Sequence, residues 1–187
     1  DNQVSTQSPL STNTGGPNFR CFSSTLSPTW YFPTISSIST NTNDPWQVLP
    51  SVARTMNFRL TVRDNHSGNG CTASATSTIT FDGTAGPFVV SSPSTAGISY
   101  PALSTQTITW SVAGTNAAPV NCSNVDILLS TDGGLTYPTT ILSNTPNDGS
   151  ESVLIPNSQS TTARIMVKAN GNVFFDISNN NFAITAP

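Results

Sequence analysis

Side chains that could do acid–base chemistry are few in this sequence and lie far apart. The single histidine, His66, sits in the turn-like stretch of residues 64–70. A hydrolase with a serine nucleophile elbow would carry a Gly-x-Ser-x-Gly turn, and none is present. A glycosidase needs two carboxylates across a cleft, whereas Asp132 and Asp148 occupy ordinary turn contexts. We therefore predict that the chain is not an enzyme, with no catalytic residues and a solvated His66.

Metal-binding patterns are missing as well. The sequence has no His-Glu-x-x-His motif and no Cys-x-x-Cys pair, so it predicts neither a protease zinc centre nor a Cys/His zinc site. Turns rich in Asp and Asn, such as residues 147–149 and 179–181, offer oxygen ligands of the kind that calcium prefers. We predict no cofactor and no metal ligand, and structural calcium stays open.

Three cysteines leave one thiol without a partner. A disulfide between Cys21 and Cys71 would suit a secreted domain. Buried free thiols are the alternative, since sequence spacing does not establish that two cysteines are close. Cys122 is predicted to be a buried thiol.

Three aromatic residues, Trp30, Tyr31 and Trp46, form the candidate ligand platform. Aromatic faces can stack on the CH faces of sugars, which would make the three a glycan-binding surface. Large aromatic side chains also dominate protein cores. The sequence leaves both interpretations open.

The composition narrows the classes of partner. Charged residues make up only 8% of the chain, and the net charge is −3, while Ser, Thr and Asn take many surface positions. The six basic residues are scattered, which argues against nucleic-acid binding. No apolar run approaches the roughly 20 residues of a membrane span. A secreted or cell-surface β-protein is the prediction.

Period-2 alternation predicts strands in both halves of the chain. In the first half, residues 55–63 and 71–82 flank the turn 64–70 as a long antiparallel hairpin. Residues 1–18 are predicted to be a loop or a loose arm, followed by short strands interrupted by proline. In the second half about seven short strands predict a sandwich. Its predicted core comprises Ile108, Trp110, Val112, Ile127, Leu129, Ile165, Val167, Phe175 and Ile177.

Several of these stretches resemble known β-modules. Residues 130–137 (STDGGLTY) resemble the Asp-box hairpin of sialidases and other secreted β-proteins, where it is a folding element. Residues 57–81 resemble the closing hairpin of PKD-like modules, and residues 105–114 (TQTITWSVAG) resemble the Trp-bearing strand of fibronectin type III modules. The fold expected is all-β, with two tandem immunoglobulin-like and fibronectin III-like β-sandwich domains. The first (1–85) is PKD/Ig-like and the second (86–187) is FnIII-like.

One resemblance covers nearly the whole chain. The series PNFRCF, WYFPTISSI, VLPSVARTMNFRLTVRDN, GTAGPFVVSSP, QTITWSVAGTNAAPVNC, VDILLSTDGGLTYPTTIL, NTPNDGSESVLIPN and NVFFDISNNNFAI is similar to the region after the catalytic domain in secreted bacterial zinc metalloproteases of the reprolysin-like type. It implies a bacterial extracellular protein with its zinc domain upstream. It also implies that N-terminal strands are missing from the first module.

Two classes of function follow. The first is a non-catalytic accessory module pair that tethers or positions a protease-like protein, or binds a surface glycan or protein. The alternative is a structural or adhesive subunit that assembles by β-strand addition. In that case an upstream segment or a neighbouring copy would fill a gap in the first domain. A smaller first sandwich, complete by itself, is the competing expectation.

Overall fold

The computed structural model describes residues 8–21 and 23–187. The start of the predicted arm, residues 1–7, lies outside the described residues, as does position 22 of the predicted short strands. In the described part the protein has eleven strands and one five-residue helix, α1 (Ile35–Ser39). This confirms the all-β class. The short helix was missed because five residues are too few to show a helical period.

The described residues form two compact units whose bounds differ from the predicted ranges 1–85 and 86–187. One unit consists of the residues up to Ser23 together with Pro45–Gly83. The other combines Ser24–Asp44 with Thr84–Pro187. We call Ser24–Asp44 the covering segment, because it packs on a sheet of the second unit.

In its described part the first unit contains a single two-stranded sheet, built from β1 (Arg54–Arg63) and β2 (Thr72–Phe81) in antiparallel register. Its turn closes on the Asp64 carboxylate, which accepts hydrogen bonds from the backbone N–H of His66 (3.1 Å) and Cys71 (3.0 Å). The predicted hairpin is thus confirmed. The predicted strands before it are reduced, among the described residues, to one isolated bridge between Phe19 and Gln47.

The interior of the first unit is polar in its described part. Asn18 is fully buried, and its side-chain N–H donates to the Val48 carbonyl at 3.0 Å. Arg54 donates to the Asn18 side-chain oxygen (2.9 Å) and to the carbonyls of Asn13 (2.9 Å) and Gly16 (2.6 Å). No apolar side chain of this unit is fully buried among the described residues. Hydrogen bonds therefore hold the N-terminal loop in place.

The second unit has nine strands in two sheets. In chain order they are β3 (Val89–Ser92), β4 (Ser99–Pro101), β5 (Thr105–Ser111), β6 (Asn124–Ser130), β7 (Thr139–Pro146), β8 (Ser150–Leu154), β9 (Ser160–Ala169), β10 (Phe175–Ile177) and β11 (Phe182–Thr185). The larger sheet has the order β4-β11-β9-β6-β7, with β10 also paired to β9. The smaller sheet has the order β3-β5-β8. All pairs are antiparallel except β4 with β11.

The two sheets enclose one apolar core, as in a β-sandwich. Alternate residues of β5 and β6 point into it, which is why their sequences alternate. Trp110 is 4% exposed and donates its indole N–H to Asn147 at 2.9 Å. The buried core residues are Val90, Ala102, Ile108, Trp110, Val125, Ile127, Leu129, Val153, Ile155, Ala163, Ile165, Val167, Phe182 and Ile184.

Six of the nine predicted core residues lie in this core, Ile177 is buried opposite Met166 on the other face of the sheet, and Val112 and Phe175 are half-buried. Val112 follows the last residue of β5 and sits at the margin of the core. Phe175 lies on the outer face of the larger sheet, where its ring meets that of Tyr31 edge-to-face at 5.2 Å. The covering segment thus supplies a partner for a residue that the pattern assigned to the interior.

The larger sheet is buried on both faces around β9. Alternation places Arg164, Met166 and Lys168 on a polar outer face. Lys168 is exposed, but Arg164 and Met166 are 7% and 1% exposed. That part of the prediction is wrong. The covering segment takes the place of solvent on this face, and a strand buried on both faces loses the alternation of a half-buried one.

Candidate functional site

A groove in the second unit holds two of the three predicted platform residues. It is about 260 Å³ in volume. Trp30 is 39% exposed there, and Leu135 is 52% exposed. The groove lies between the covering segment and the turn after β6, and its lining comprises Ser27, Thr29, Trp30, Tyr31, Thr34, Ile35 and Leu135.

Side-chain hydroxyls shape the covering segment on its side of the groove. The Ser27 hydroxyl donates to the Thr29 carbonyl (2.9 Å) and accepts from the Thr29 N–H (3.2 Å). Near the start of α1, the hydroxyls of Thr34 and Ser37 are 2.9 Å apart. Such local bonds give a loop without periodic structure a defined path.

Contacts with the sheet anchor the same segment. Tyr31 packs on Phe175, and the side-chain N–H of Asn41 donates to the Asn179 carbonyl at 2.9 Å. Each contact joins residues more than a hundred positions apart in the sequence, so no local sequence pattern predicts it. They place Trp30 at the groove.

The opposite side of the groove is the turn that resembles an Asp box. The Asp132 carboxylate accepts bonds from the backbone N–H of Leu135 (3.1 Å) and Thr136 (3.0 Å). It also accepts from the hydroxyls of Thr136 and Ser130, both at 2.6 Å. The Gly134 N–H donates to the Ser130 hydroxyl at 2.9 Å. These bonds fix the turn that carries Leu135 into the groove.

The environment of Asp132 stabilises its ionised form. Burial by itself would raise the pKa of the carboxyl group, but the hydrogen bonds from Ser130, Thr136 and the backbone of Leu135 outweigh it and lower the pKa to about 2. Asp132 is therefore charged across the physiological range and is engaged in the turn.

A compact polar cluster lies beneath the groove. Arg164 donates to the Asn181 side chain (2.7 Å) and to the Ser178 carbonyl (2.9 Å). The Tyr137 hydroxyl is buried and has no hydrogen-bond partner among the described residues. Burial raises the pKa of Tyr137, which keeps the phenol neutral, and lowers that of Arg164. None of these cluster residues lines the groove.

The groove therefore offers uncharged chemistry. Its seven lining residues comprise two aromatic side chains, two aliphatic side chains and three Ser or Thr residues, and the phenol of Tyr31 brings the number of hydroxyls to four. An indole or phenol face packs on apolar surface, and hydroxyls donate and accept hydrogen bonds. This combination suits an uncharged ligand with both CH and OH groups.

The third platform residue, Trp46, belongs to the first unit and does not line this groove. There the Arg20 guanidinium lies 4.8 Å from the centroid of its ring, a cation–π contact. The predicted platform is thus represented by Trp30 and Tyr31 in the second unit.

Cys21 and Cys71 are both free and exposed. Cys21 is two residues from Phe19, whose ring packs on Phe58 at 5.9 Å. Cys71 lies beside Asp64, roughly 20 Å from Phe58 at the usual rise along a strand. A disulfide needs Cα atoms within about 7 Å. The structure does not bring this candidate pair together. Cys122 is a buried thiol, as predicted, and burial raises its pKa.

The acidic side chains are occupied by the backbone. Besides Asp64 and Asp132, Asp126 accepts from the Asn144 N–H (2.8 Å) and Asp148 from the Ser150 N–H (3.3 Å). Glu151 accepts from the Ser152 N–H (3.0 Å), and Asp176 from the Val90 N–H (2.7 Å). Six carboxylates thus stabilise turns and pairs of neighbouring segments at separate places. His66 is exposed in the β1–β2 turn.

No three side chains among the His, Cys, Asp and Glu residues of positions 8–21 and 23–187 come together as a metal site. In the same part of the chain, no helix has the length and hydropathy to span a bilayer. No known protein family matches the chain, and no curated protein is significantly similar to it.

The sequence pointed to part of the groove. Trp30 and Tyr31 were found by residue type alone, because paired aromatic residues near proline stand out in a polar segment. The sequence analysis did not identify Leu135. Its position in an Asp-box-like turn is a usable signal, because three hydrogen bonds to side chains fix this turn with the apolar Leu135 side chain exposed.

Proposed function

We propose that the chain is a non-catalytic, extracellular pair of modules that tethers or positions a larger protein by binding a surface ligand. The observation that carries this proposal is the use of six carboxylates as acceptors for backbone N–H groups at separate turns and strands. Carboxylates used in this way stabilise loops, whereas a hydrolytic site needs such groups to converge on one substrate.

The proposal extends to the parent protein and to the module types. The resemblance to the region after the catalytic domain of secreted bacterial metalloproteases supports an upstream zinc protease domain and a secreted or cell-surface location. The sandwich of the second unit supports an FnIII-like module, and the β1–β2 hairpin supports a PKD/Ig-like first module. The low charge and the many hydroxyl and amide side chains suit an extracellular surface.

The ligand that fits the groove best is a surface glycan, with an uncharged segment of a surface protein as the second choice. The exposed face of Trp30 would stack on a sugar ring. The hydroxyls of Ser27, Thr29 and Thr34 lie around it, and no lining residue carries a charge that would favour an ionic ligand.

A glycan array probed with the labelled chain tests this assignment. We expect retention on one class of glycan, with a loss of about 5- to 150-fold in affinity for Trp30→Ala, since stacking on an aromatic face contributes about 1–3 kcal/mol. Trp46→Ala is the matched control and should bind as the wild type does. If Trp30→Ala and Trp46→Ala weaken retention equally, the groove is not the binding site. The proposal is also contradicted if the chain binds neither the glycan array nor a panel of surface proteins.

A second candidate function is favoured by the first unit. Its sheet has only two strands, and a two-stranded hairpin is marginal by itself in water. Leu60 and Val62 of β1 are 63% and 53% exposed. A structural or adhesive subunit that assembles by β-strand addition would extend this sheet and make its apolar face continuous with that of the added partner.

A further inference from the structure

We propose that two copies of this chain pair through the outer edges of their β2 strands, in antiparallel register about Thr76. This inference rests on the second candidate function and names its partner and its edge. The result would be a continuous four-stranded sheet with the order β1-β2-β2-β1.

The backbone of β2 presents alternate residues to β1 and to its outer edge. The Asp64 N–H donates to the Cys71 carbonyl, and these two positions are directly opposite in the register that pairs Arg63 with Thr72. Cys71 and every second residue after it therefore bond to β1. The residues whose backbone N–H and C=O groups face outward are Thr72, Ser74, Thr76, Thr78 and Thr80.

The outer edge of β2 is open. None of these five N–H groups has a backbone acceptor among the described residues. Proteins usually protect an exposed edge strand with charged residues or proline. The sequence of β2, TASATSTITF, contains neither. Such an edge is a template for another strand.

A second copy of β2 matches this edge in both backbone and side chains. With Thr76 opposite Thr76 of the second copy, Ser74 falls opposite Thr78 and Thr72 opposite Thr80, so all five outward residues exchange backbone bonds. Their side chains form Thr–Thr and Ser–Thr pairs on one face, which stabilise antiparallel sheets. Ala73 then faces Ile79 on the other face. Shifting the register by two residues leaves outward groups without partners.

Charge decides between the two edges of the hairpin. β1 carries Arg54, Arg59 and Arg63. A two-fold pairing of β1 with itself about Arg59 would set two guanidinium groups directly opposite each other, and like charges at this position destabilise a sheet. β2 has no charge to repel its copy. Pairing through β2 also joins the two exposed apolar faces that contain Leu60 and Val62 into one surface.

Sedimentation velocity of the full chain under reducing conditions, over a wide range of concentration, tests the pairing. We expect a concentration-dependent dimer. Thr76→Lys should make the chain monomeric, because it places two ammonium groups opposite each other at the two-fold axis. Thr61→Lys is the matched control: it lies on the same polar face of the hairpin but on β1, and it should leave the dimer intact. Circular dichroism establishes that both variants are folded.

Disulfide trapping tests the register in a background of Cys21→Ser and Cys71→Ser. Thr76→Cys should give a covalent dimer on mild oxidation, since directly opposite residues have Cα atoms about 5.5 Å apart, within disulfide reach. Thr61→Cys should not. Oligomers that resist Thr76→Lys and are not trapped at position 76 would overturn this pairing and leave assembly through another edge standing. A chain that stays monomeric throughout would overturn both.

Discussion

Asp132 shows how a single side chain can organise the turn beside the groove. Its two oxygens accept bonds from Ser130, Leu135 and Thr136, so Asp132→Ala removes all of them at once. We expect a loss of about 1–3 kcal/mol in the free energy of unfolding, because a hydrogen bond to a charged group typically contributes an amount of this order to stability. Urea denaturation at neutral pH measures it. Asp148→Ala, which removes one bond of 3.3 Å, is the control and should lose less.

The same carboxylate predicts a pH dependence. The pKa of Asp132 is about 2 in the folded chain, below the value of roughly 3.9 for an unfolded aspartate. Its contribution is therefore fully present above pH 4 and is lost as the pH falls toward 2. The difference in stability between wild type and Asp132→Ala should shrink over this window. A difference that stays constant from pH 6 to pH 2 would show that the charge has no part in it.

Gly134 is required for two separable reasons. Its φ is +90°, and an added Cβ would lie 3.1 Å from the Tyr137 hydroxyl and 3.3 Å from side-chain carbons of Arg164 and Ser39. Gly133 has φ of +80° but open space around it. We expect Gly134→Ala to destabilise by about 1–3 kcal/mol more than Gly133→Ala, because only the former adds crowding to backbone strain. Equal losses in thermal unfolding would mean that strain alone matters.

At the scale of elements, the covering segment is the feature that defines the second unit. It packs Tyr31 on Phe175, places Ser39 near Gly134 and brings Trp30 to the groove. Tyr31→Ala should lower stability by about 1–3 kcal/mol through loss of ring burial and of the edge-to-face contact with Phe175. Leu26 lies in the same segment and its side chain is fully exposed. Leu26→Ala should therefore leave the stability unchanged. Hydrogen exchange of the backbone amides of residues 24–44 measures the effect of each substitution. Equal protection in Tyr31→Ala and Leu26→Ala would contradict the anchoring role of Tyr31.

The strands were predictable wherever only one face is buried. Residues 105–111 and 124–130 alternate because Ile108, Trp110, Ile127 and Leu129 face the core and their neighbours do not. The covering segment was not predictable, since its contacts are made by loop side chains with distant partners such as Asn179. The sequence of β9 alternates like a strand with one exposed face, although Arg164 and Met166 on its other face are buried by contacts that are distant in sequence. The groove was visible only through its aromatic residues, and its turn side depends on bonds that Asp132 makes in three dimensions.

At the scale of the whole molecule, the two units carry different capacities. The second unit is a closed sandwich with a small uncharged groove, and the first is a hydrogen-bonded loop on a hairpin with an open edge. The groove of the second unit is the proposed binding site and the outer edge of β2 in the first unit is the proposed assembly site, so the two proposed roles use different parts of the chain. Both roles use the chain as a connector, which is the common element of the two proposed functions.

Incubating the purified protein with casein and a panel of glycans, with and without added zinc and calcium, tests whether the chain is non-catalytic, as we propose. We expect no turnover above buffer under any of these conditions. Metal-dependent cleavage by the purified chain, lost on replacing Asp126, Asp132 or Asp176, would contradict it, because those carboxylates would then be acting on substrate and not on the backbone.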